Sequence, residues 1–376
     1  MNMSETSPTT RGLAPAFQQQ DRQFARAFAI VGQAIGEHAF PGCCLAVTQQ
    51  RRLVCWKSIG RFTYEAASSP VNPTTVYDLA SVTKVVATTA CAMLLHERGL
   101  LNLEARVVDM LAAFASATEP RRERVTLRML LAHSSGLPAY ERLFERATTR
   151  DELIHLAATT PLAADPMSHA DYSDLGFILL GEILAQIAGT PLDVFAAREV
   201  FAPLGMTSTG YCPPTEWKSM IPPTVDDRSF RHRIVQGEVH DENASVMGGV
   251  SGHAGLFGSA IDLAVFADCM LTGGAPLLRP ETVKLFTARE ALPAGTSRAL
   301  GWDTPSQPSQ SGRYFSSGSF GHLGFTGTSL WCDPLRQVSV TLLTNRVWPD
   351  CGSQRIKQVR SLIHDAVIEA IEGESH

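Results

Sequence analysis

Lysine is scarce in this chain. Of its 32 lysines and arginines only five are lysine, at positions 57, 84, 218, 284 and 357. The net charge is −5 and no long run of like charge occurs, which argues against a nucleic-acid partner, because such binding needs a concentrated basic face. No stretch reaches the ~20 continuous apolar residues of a membrane-spanning helix. No apolar run follows the N-terminus before Phe28, so the reading is a cytoplasmic protein with no signal peptide and no membrane contact. The eight cysteines include no Cys-x-x-Cys pair, and most have apolar neighbours, as expected of free buried thiols. A Gly-x-Ser-x-Gly elbow, a phosphate loop and a dinucleotide fingerprint are all missing, which disfavours an α/β-hydrolase or a nucleotide enzyme.

What remains is a chain of 376 residues, 44% hydrophobic and 18% charged, the balance of a globular enzyme able to bury a sizeable core. Helical spacing of Phe24, Phe28, Val31 and Ile35 predicts a helix over 20–36. Strands over 42–48 and 52–59, joined by Gln49-Gln50-Arg51, form a predicted hairpin. A helix apolar on nearly all sides runs from Ser81 to His96, with Gly99 placed to end it. Further helical segments span 125–132, 150–158 and 175–188, and 207–235 reads as irregular. Strand signals return at 301–304, 327–332 and 337–345, before a last helix over 354–372. Strands at both ends with helices between them predict an α+β fold, an antiparallel sheet flanked by helices with a large helical insertion. The expected boundaries are a frayed tail over 1–18, a sheet body of 19–80 plus 236–376, and a helical insertion over 81–235, with the active site at their interface.

Three short patterns carry chemistry. The first is Ser81-Val82-Thr83-Lys84, in an almost uncharged stretch. Residues three apart on a helix share a face. Apolar surroundings lower a lysine's pKa, so a neutral Lys84 can take the proton of Ser81, a hydroxyl that needs an adjacent base to become a nucleophile. As a structural alternative, Ser81 caps a helix and Lys84 lies on the surface. The second pattern is Tyr172-Ser173-Asp174, ahead of the 175–188 helix. Ser173 or Asp174 can cap that helix, leaving the Tyr172 phenol free to face a cleft, its pKa pulled down by a nearby ammonium. The third is the glycine-rich run Gly321-His322-Leu323-Gly324-Phe325-Thr326-Gly327, entering a strand. An edge strand there can aim a backbone N–H at a substrate carbonyl.

Ser-x-x-Lys, then a Tyr-x-Asn-like triplet, then a His-x-Gly strand together resemble the serine β-lactamase and penicillin-binding-protein superfamily, whose Ser-x-x-Lys signature is well defined. The segments Leu130-Leu131-Ala132-His133-Ser134-Ser135-Gly136-Leu137-Pro138 and Gly252-His253-Ala254-Gly255-Leu256-Phe257 are similar to framework segments of its class C-like branch, which also holds D-alanyl-D-alanine peptidases and carboxylesterases. The resemblance spans about residues 25–370. It implies Ser81 as the acylated nucleophile, Lys84 as its base and Tyr172 as a proton relay. His322 would stand in the third motif, and the N–H groups of Ser81 and Phe325 would form the oxyanion hole. Asp174, Gly324, His240 and Asn243 are the expected substrate-binding residues. Two departures stand out: Asp174 where the family has Asn, and Leu323 where it has Thr. Both weigh against β-lactam turnover more than against acylation.

The polar phrase Val239-His240-Asp241-Glu242-Asn243-Ala244 matches no zinc spacing and reads as a loop lining the cleft. No metal and no organic cofactor is expected. The expected partner is a small-molecule ester, amide or peptide. The expected activity is a serine hydrolase acting through an acyl-enzyme, first as a carboxylesterase and second on a cell-wall-derived peptide or amide, with a β-lactam third. A non-catalytic binding protein on the same scaffold is the alternative of a different class.

Overall fold

The structure, a computed structural model, describes residues 12–373. Its centre is a six-stranded sheet. From one edge to the other the strands are Ala14–Pro15, Arg52–Gly60, Gly42–Gln49, Val338–Thr344, Ser329–Asp333 and Phe320–Leu323. All neighbours are antiparallel except the short first strand, which runs parallel to Arg52–Gly60. The predicted hairpin is present, with Gln50 and Arg51 both at positive φ in its turn.

Successive residues of a strand point to opposite faces, and the central strand divides its side chains accordingly. Cys43, Leu45 and Val47 join the core under the helices Ala25–Gly36 and Ile356–Glu372. Cys44 and Ala46 join the larger core on the other face, which takes in Ala260–Leu271 and the helical region between Lys84 and Phe201. Strands 42–47 and 338–344 are therefore apolar or buried at almost every position. The fold is thus α+β, an antiparallel sheet carrying helices with a mainly helical segment inserted after the first strands.

Several expectations need correction. Residues 1–11 of the expected tail lie outside the described residues. From Leu13 the chain is tied down, since Leu13 is buried and Ala14–Pro15 pairs with Arg52–Leu53. The first helix is split at Phe24, where the backbone leaves helical geometry and the ring is fully buried. Residues 301–304 make only isolated bridges, Asp303 with Arg298 and with Gly321, because Gly301, at φ 84, interrupts the extended chain. Irregular 207–235 contains a small hairpin, Val225–Asp227 with Arg233–Val235. A second sheet went unforeseen: Val76–Asp78, Leu256–Ser259 and Gly210–Tyr211. No single helix among the described residues is long and apolar enough to cross a membrane, and the apolar pair Asp174–Ala188 and Leu192–Phe201, bent by 70°, packs into the core. All eight cysteines are free, and six of them are buried.

Candidate active site

Ser81 sits at the end of a strained corner. Val76–Asp78 leads into a 3₁₀ turn over Ala80–Val82, then a π-helical turn over Lys84–Thr89, then the α-helix Ala90–Glu97. The predicted 81–96 helix is thus present in three forms, and π turns of this kind recur at functional sites. Ala80 adopts φ 45, a conformation costly for a residue with a Cβ and held only when the surroundings over-determine it. Asp78 supplies that constraint. It is buried, with Oδ1 accepting from the Ala80 N–H at 2.8 Å and Oδ2 from the His240 N–H at 2.6 Å. Burial pushes its pKa up to about 6.

Lys84 has no solvent exposure. Its Nζ donates to Ser81 Oγ at 3.0 Å, to Asp174 Oδ1 at 2.7 Å and to the His253 carbonyl at 2.9 Å. Burial lowers its pKa below the usual lysine range, and the Asp174 carboxylate opposes that shift. Ser81 Oγ also accepts from the Tyr172 phenol at 2.6 Å. Ser81, Lys84 and Tyr172 are thus gathered at one oxygen atom, across 91 residues of sequence.

The Tyr172 phenol does not behave as the sequence suggests. Its pKa is raised well above the ordinary value, first by burial and then by Asp174. Burial and the Asp174 carboxylate together outweigh the lowering by the Ser81 hydrogen bond and the Arg298 guanidinium. Ser173 is the cap of the following helix, accepting from Gly176 N at 3.1 Å, which frees Asp174 for Lys84. The Tyr172 ring rests on His133, with centroids 4.8 Å apart, and His133 Nδ1 accepts from the Ser173 N–H at 3.0 Å. His133 is therefore a framework residue at a helix end, as its place after Leu127–Leu131 suggests. The Arg298 guanidinium lies 5.5 Å from the Tyr172 ring centroid, a neighbour that no sequence pattern announced.

A cleft of about 650 Å³ opens in front of Ser81. Tyr172, Asp174, His240, Gly324 and Phe325 all line it. The turn after the edge strand Phe320–Leu323 comes so close to the Ser81 corner that a Cβ on Gly324 would lie 2.6 Å from the Leu79 carbonyl, so only glycine fits there. Phe325 is half exposed and stacks on His240, with centroids 5.5 Å apart. Its N–H donates to no group among the described residues.

Two expected site residues do not line the cleft. Asn243 is fully buried and forms no wall of the cleft. It accepts from the Phe144 N–H and donates to the Glu141 carbonyl, both at 2.9 Å, fastening one loop to another. His322 is buried, 6.0 Å from the Tyr172 ring between centroids, with Nδ1 against the Leu323 carbonyl at 2.9 Å. It hydrogen-bonds to none of Ser81, Lys84 and Tyr172, and burial, Lys84 and Arg298 lower its pKa well below the usual imidazole value. Asp174 does line the cleft, but its carboxylate is spent first on Lys84. His253 is buried against Asp241 at 2.9 Å, and His232 is exposed on the Arg228 carbonyl. No group of three His, Cys, Asp or Glu residues among the described residues has the arrangement to hold a metal ion.

An antiparallel sheet with a helical insertion and a Ser-x-x-Lys corner at their junction defines the β-lactamase and transpeptidase-like class. The chain belongs to the beta-lactamase family, whose pattern it matches over residues 24–362, and is a β-lactamase-related hydrolase. It is 30% identical over 381 residues to a putative D-alanyl-D-alanine carboxypeptidase of Escherichia coli K12, covering 92% of this chain and 86% of that one. It is 32% identical over 343 residues to an N-acetylmuramyl-L-alanine amidase of Bacillus subtilis 168, covering 82% and 77%. Among solved structures, the hydrolase EstCE1, described as having promiscuous acyltransferase activity, superposes with a TM-score of 0.75 at 23% identity over 93% of this chain and 99% of that one. A class C β-lactamase from Rhodobacter sphaeroides gives 0.72 at 20% over 93% and 99%. At these identities the two structures speak for the fold.

Proposed function

We propose that this hydrolase works through an acyl-enzyme on Ser81, with a carboxylic ester of modest size as its first substrate class. One observation carries the reading: Ser81 Oγ lies within hydrogen-bonding distance of both the Lys84 amine and the Tyr172 phenol. With Lys84 as the neutral amine, the Ser81 O–H donates across the same 3.0 Å contact. The proton moves to Nζ as Oγ bonds to the substrate carbonyl carbon. The ammonium so formed is held by Asp174 and the His253 carbonyl. The N–H groups of Ser81 and Phe325 receive the oxyanion, each worth roughly 3–4 kcal/mol in the transition state. Tyr172, kept as a phenol by its surroundings, protonates the departing alkoxide. The phenolate then accepts a proton from water, whose oxygen attacks the acyl carbon, and Lys84 returns its proton to Ser81 Oγ. All groups finish in their starting states.

A cell-wall-derived peptide or amide is the second reading, favoured by the names of the two relatives given above. Here Asp174 bears on a β-lactam. A carboxylate cannot donate to a substrate carbonyl as an asparagine amide can, and this one is engaged with Lys84. Incubation with a fluorophosphonate, followed by peptide mapping, tests the nucleophile, and the expected result is one adduct, on Ser81. An adduct elsewhere, or none, rejects the proposal. Hydrolysis of a p-nitrophenyl ester series, a D-Ala-D-Ala peptide and nitrocefin then ranks the substrates.

Asp174→Asn gives a prediction with a defined sign. The carboxylate raises the Lys84 pKa against burial, so removing its charge lowers that pKa further. The rise of kcat/KM with pH, as Lys84 becomes the free amine, shifts to lower pH in the variant. Steady-state ester hydrolysis from pH 5 to 10 reads the shift. A profile unmoved, or moved upward, contradicts Lys84 as the titrating base.

A further inference from the structure

Two guanidinium groups are buried beside the cleft with no carboxylate partner. Arg346 and Arg360 are 6% and 5% exposed, and both line the cleft. Neither lies within ion-pairing distance of an acidic group among the described residues. A buried charge left without a counter-ion is costly, so its retention calls for an explanation. Most of their hydrogen bonds converge on one turn; Arg346 Nη1 instead donates to the Ser353 carbonyl at 3.1 Å and the Cys351 carbonyl at 3.4 Å. Arg360 Nη2 donates to the Gly324 carbonyl and, at 3.0 Å, to that of Thr328, while Nε donates to the Gly327 carbonyl at 3.2 Å. Its Nη1 takes Gln310 Oε1 at 3.0 Å. Arg346 Nε donates to the Phe325 carbonyl at 2.7 Å, and its backbone N–H to the Thr326 carbonyl at 2.9 Å. Thr344 Oγ1 adds a second donor to Thr326, at 2.8 Å. Every carbonyl from 324 to 328 is thereby engaged by Arg346, Arg360 or Thr344, or by both an arginine and Thr344. Thr326 and Thr328 hydroxyls bind the Asp78 and Leu79 carbonyls at 2.8 and 3.1 Å, locking the turn to the nucleophile corner.

We propose that Arg360 and Arg346 are positioning residues of the oxyanion site: they fix the carbonyls of the 324–328 turn, set the Phe325 N–H relative to Ser81, and leave uncompensated positive charge where the oxyanion forms. This rests on the acyl-enzyme reading above. A peptide group whose C=O is bound to a cation is also the better N–H donor, because hydrogen bonds in a chain polarise one another. The missing counter-ion then has a purpose, since a resident carboxylate would cancel the field that the tetrahedral intermediate needs. The signature expected of such residues is loss in the transition state without loss of substrate affinity.

The test uses the full-length protein, a neutral p-nitrophenyl ester, the same ester carrying a carboxylate, and phenylboronic acid, which forms a tetrahedral anion on a nucleophilic serine. For Arg360→Met the expected kcat on the neutral ester falls about 10²–10³-fold, the size of one lost oxyanion donor, with KM within about threefold. The boronate inhibition constant weakens by the same factor as kcat. Arg360→Lys regains at least about tenfold over Met, because the charge returns. Arg346→Met, which frees only the Phe325 carbonyl of the turn and, outside it, those of Cys351 and Ser353, shows the same pattern on the order of tenfold and serves if Arg360→Met does not fold. Unchanged kcat and boronate affinity in the folded variants overturn the proposal. So does a rise of KM confined to the carboxylate-bearing ester, which would make the arginines a subsite for a substrate anion. A wild-type protein that neither hydrolyses the esters nor binds the boronate defeats the acyl-enzyme reading itself, and this inference falls with it.

Discussion

Ser81→Ala is expected to lower ester hydrolysis by about 10⁴-fold or more, the loss typical of removing a serine nucleophile, while leaving the melting temperature almost unchanged. The two halves of that expectation have separate causes. Oγ is the atom on which Lys84 and Tyr172 converge, so its removal leaves neither base nor acid with a partner to act through. The corner that presents it is held by other means: the Asp78 carboxylate on the Ala80 N–H, and the Thr326 and Thr328 hydroxyls on the Asp78 and Leu79 carbonyls. Loss of one hydroxyl leaves all of these in place. Steady-state kinetics and thermal denaturation of the same preparation check both. Retained turnover removes Ser81 from the mechanism.

Lys84→Met is expected to be as inactive and, unlike Ser81→Ala, markedly less stable. Methionine fills the volume but leaves Asp174 with no cation and the His253 carbonyl with no donor. Breaking a buried ion pair on one side costs about 3–5 kcal/mol. Asp174 keeps 15% side-chain exposure, so the lower end of that range, about 3 kcal/mol, is expected here. Adding Asp174→Asn to Lys84→Met removes the stranded charge. The double variant should regain most of the lost stability and none of the activity, which separates the structural part of the ion pair from the chemical part. Lys84→Arg keeps the charge but cannot shed a proton, and is expected to be inactive too. Chemical denaturation and ester turnover across the four proteins give the result. Recovery of turnover in the double variant would show that Asp174, not Lys84, governs the chemistry.

Much of this molecule is legible in the sequence because its signals are local. The hairpin, the glycine-closed helices and the serine-to-lysine spacing depend on residues within a few positions of one another, and each is found. What escaped is non-local or featureless. The strands Val76–Asp78 and Leu256–Ser259 are three and four residues long, too short for a period of two to register. Helix Ala260–Leu271 is buried at all twelve positions, so it carries no polar face to mark its period. Asp174 reads as a helix cap or a substrate contact until the fold brings Lys84 to it from 90 positions away. Asn243 looked functional because it sits in a dense polar phrase, yet its amide is consumed in joining two loops. Arg346 and Arg360 gave no signal at all, since an arginine in a sequence rich in arginine is unremarked until it proves to be buried without a carboxylate. The Tyr172 pKa has the same origin: the ammonium beside it is readable from the motifs, whereas the burial of the phenol and the approach of the Asp174 carboxylate, which raise it, are set by the fold.

The proton transfer from Ser81 to Lys84 is tested most directly by the rate of fluorophosphonate acylation measured against pH, in the wild type and in Lys84→Met. In the wild type the rate should rise through one ionisation below the ordinary lysine value of 10.5, the direction in which burial moves this amine. In Lys84→Met it should be slower by about 10³-fold or more, the loss seen on removing a catalytic base, with that ionisation gone. An acylation rate in Lys84→Met that keeps both the size and the pH dependence of the wild type would contradict the account at its root.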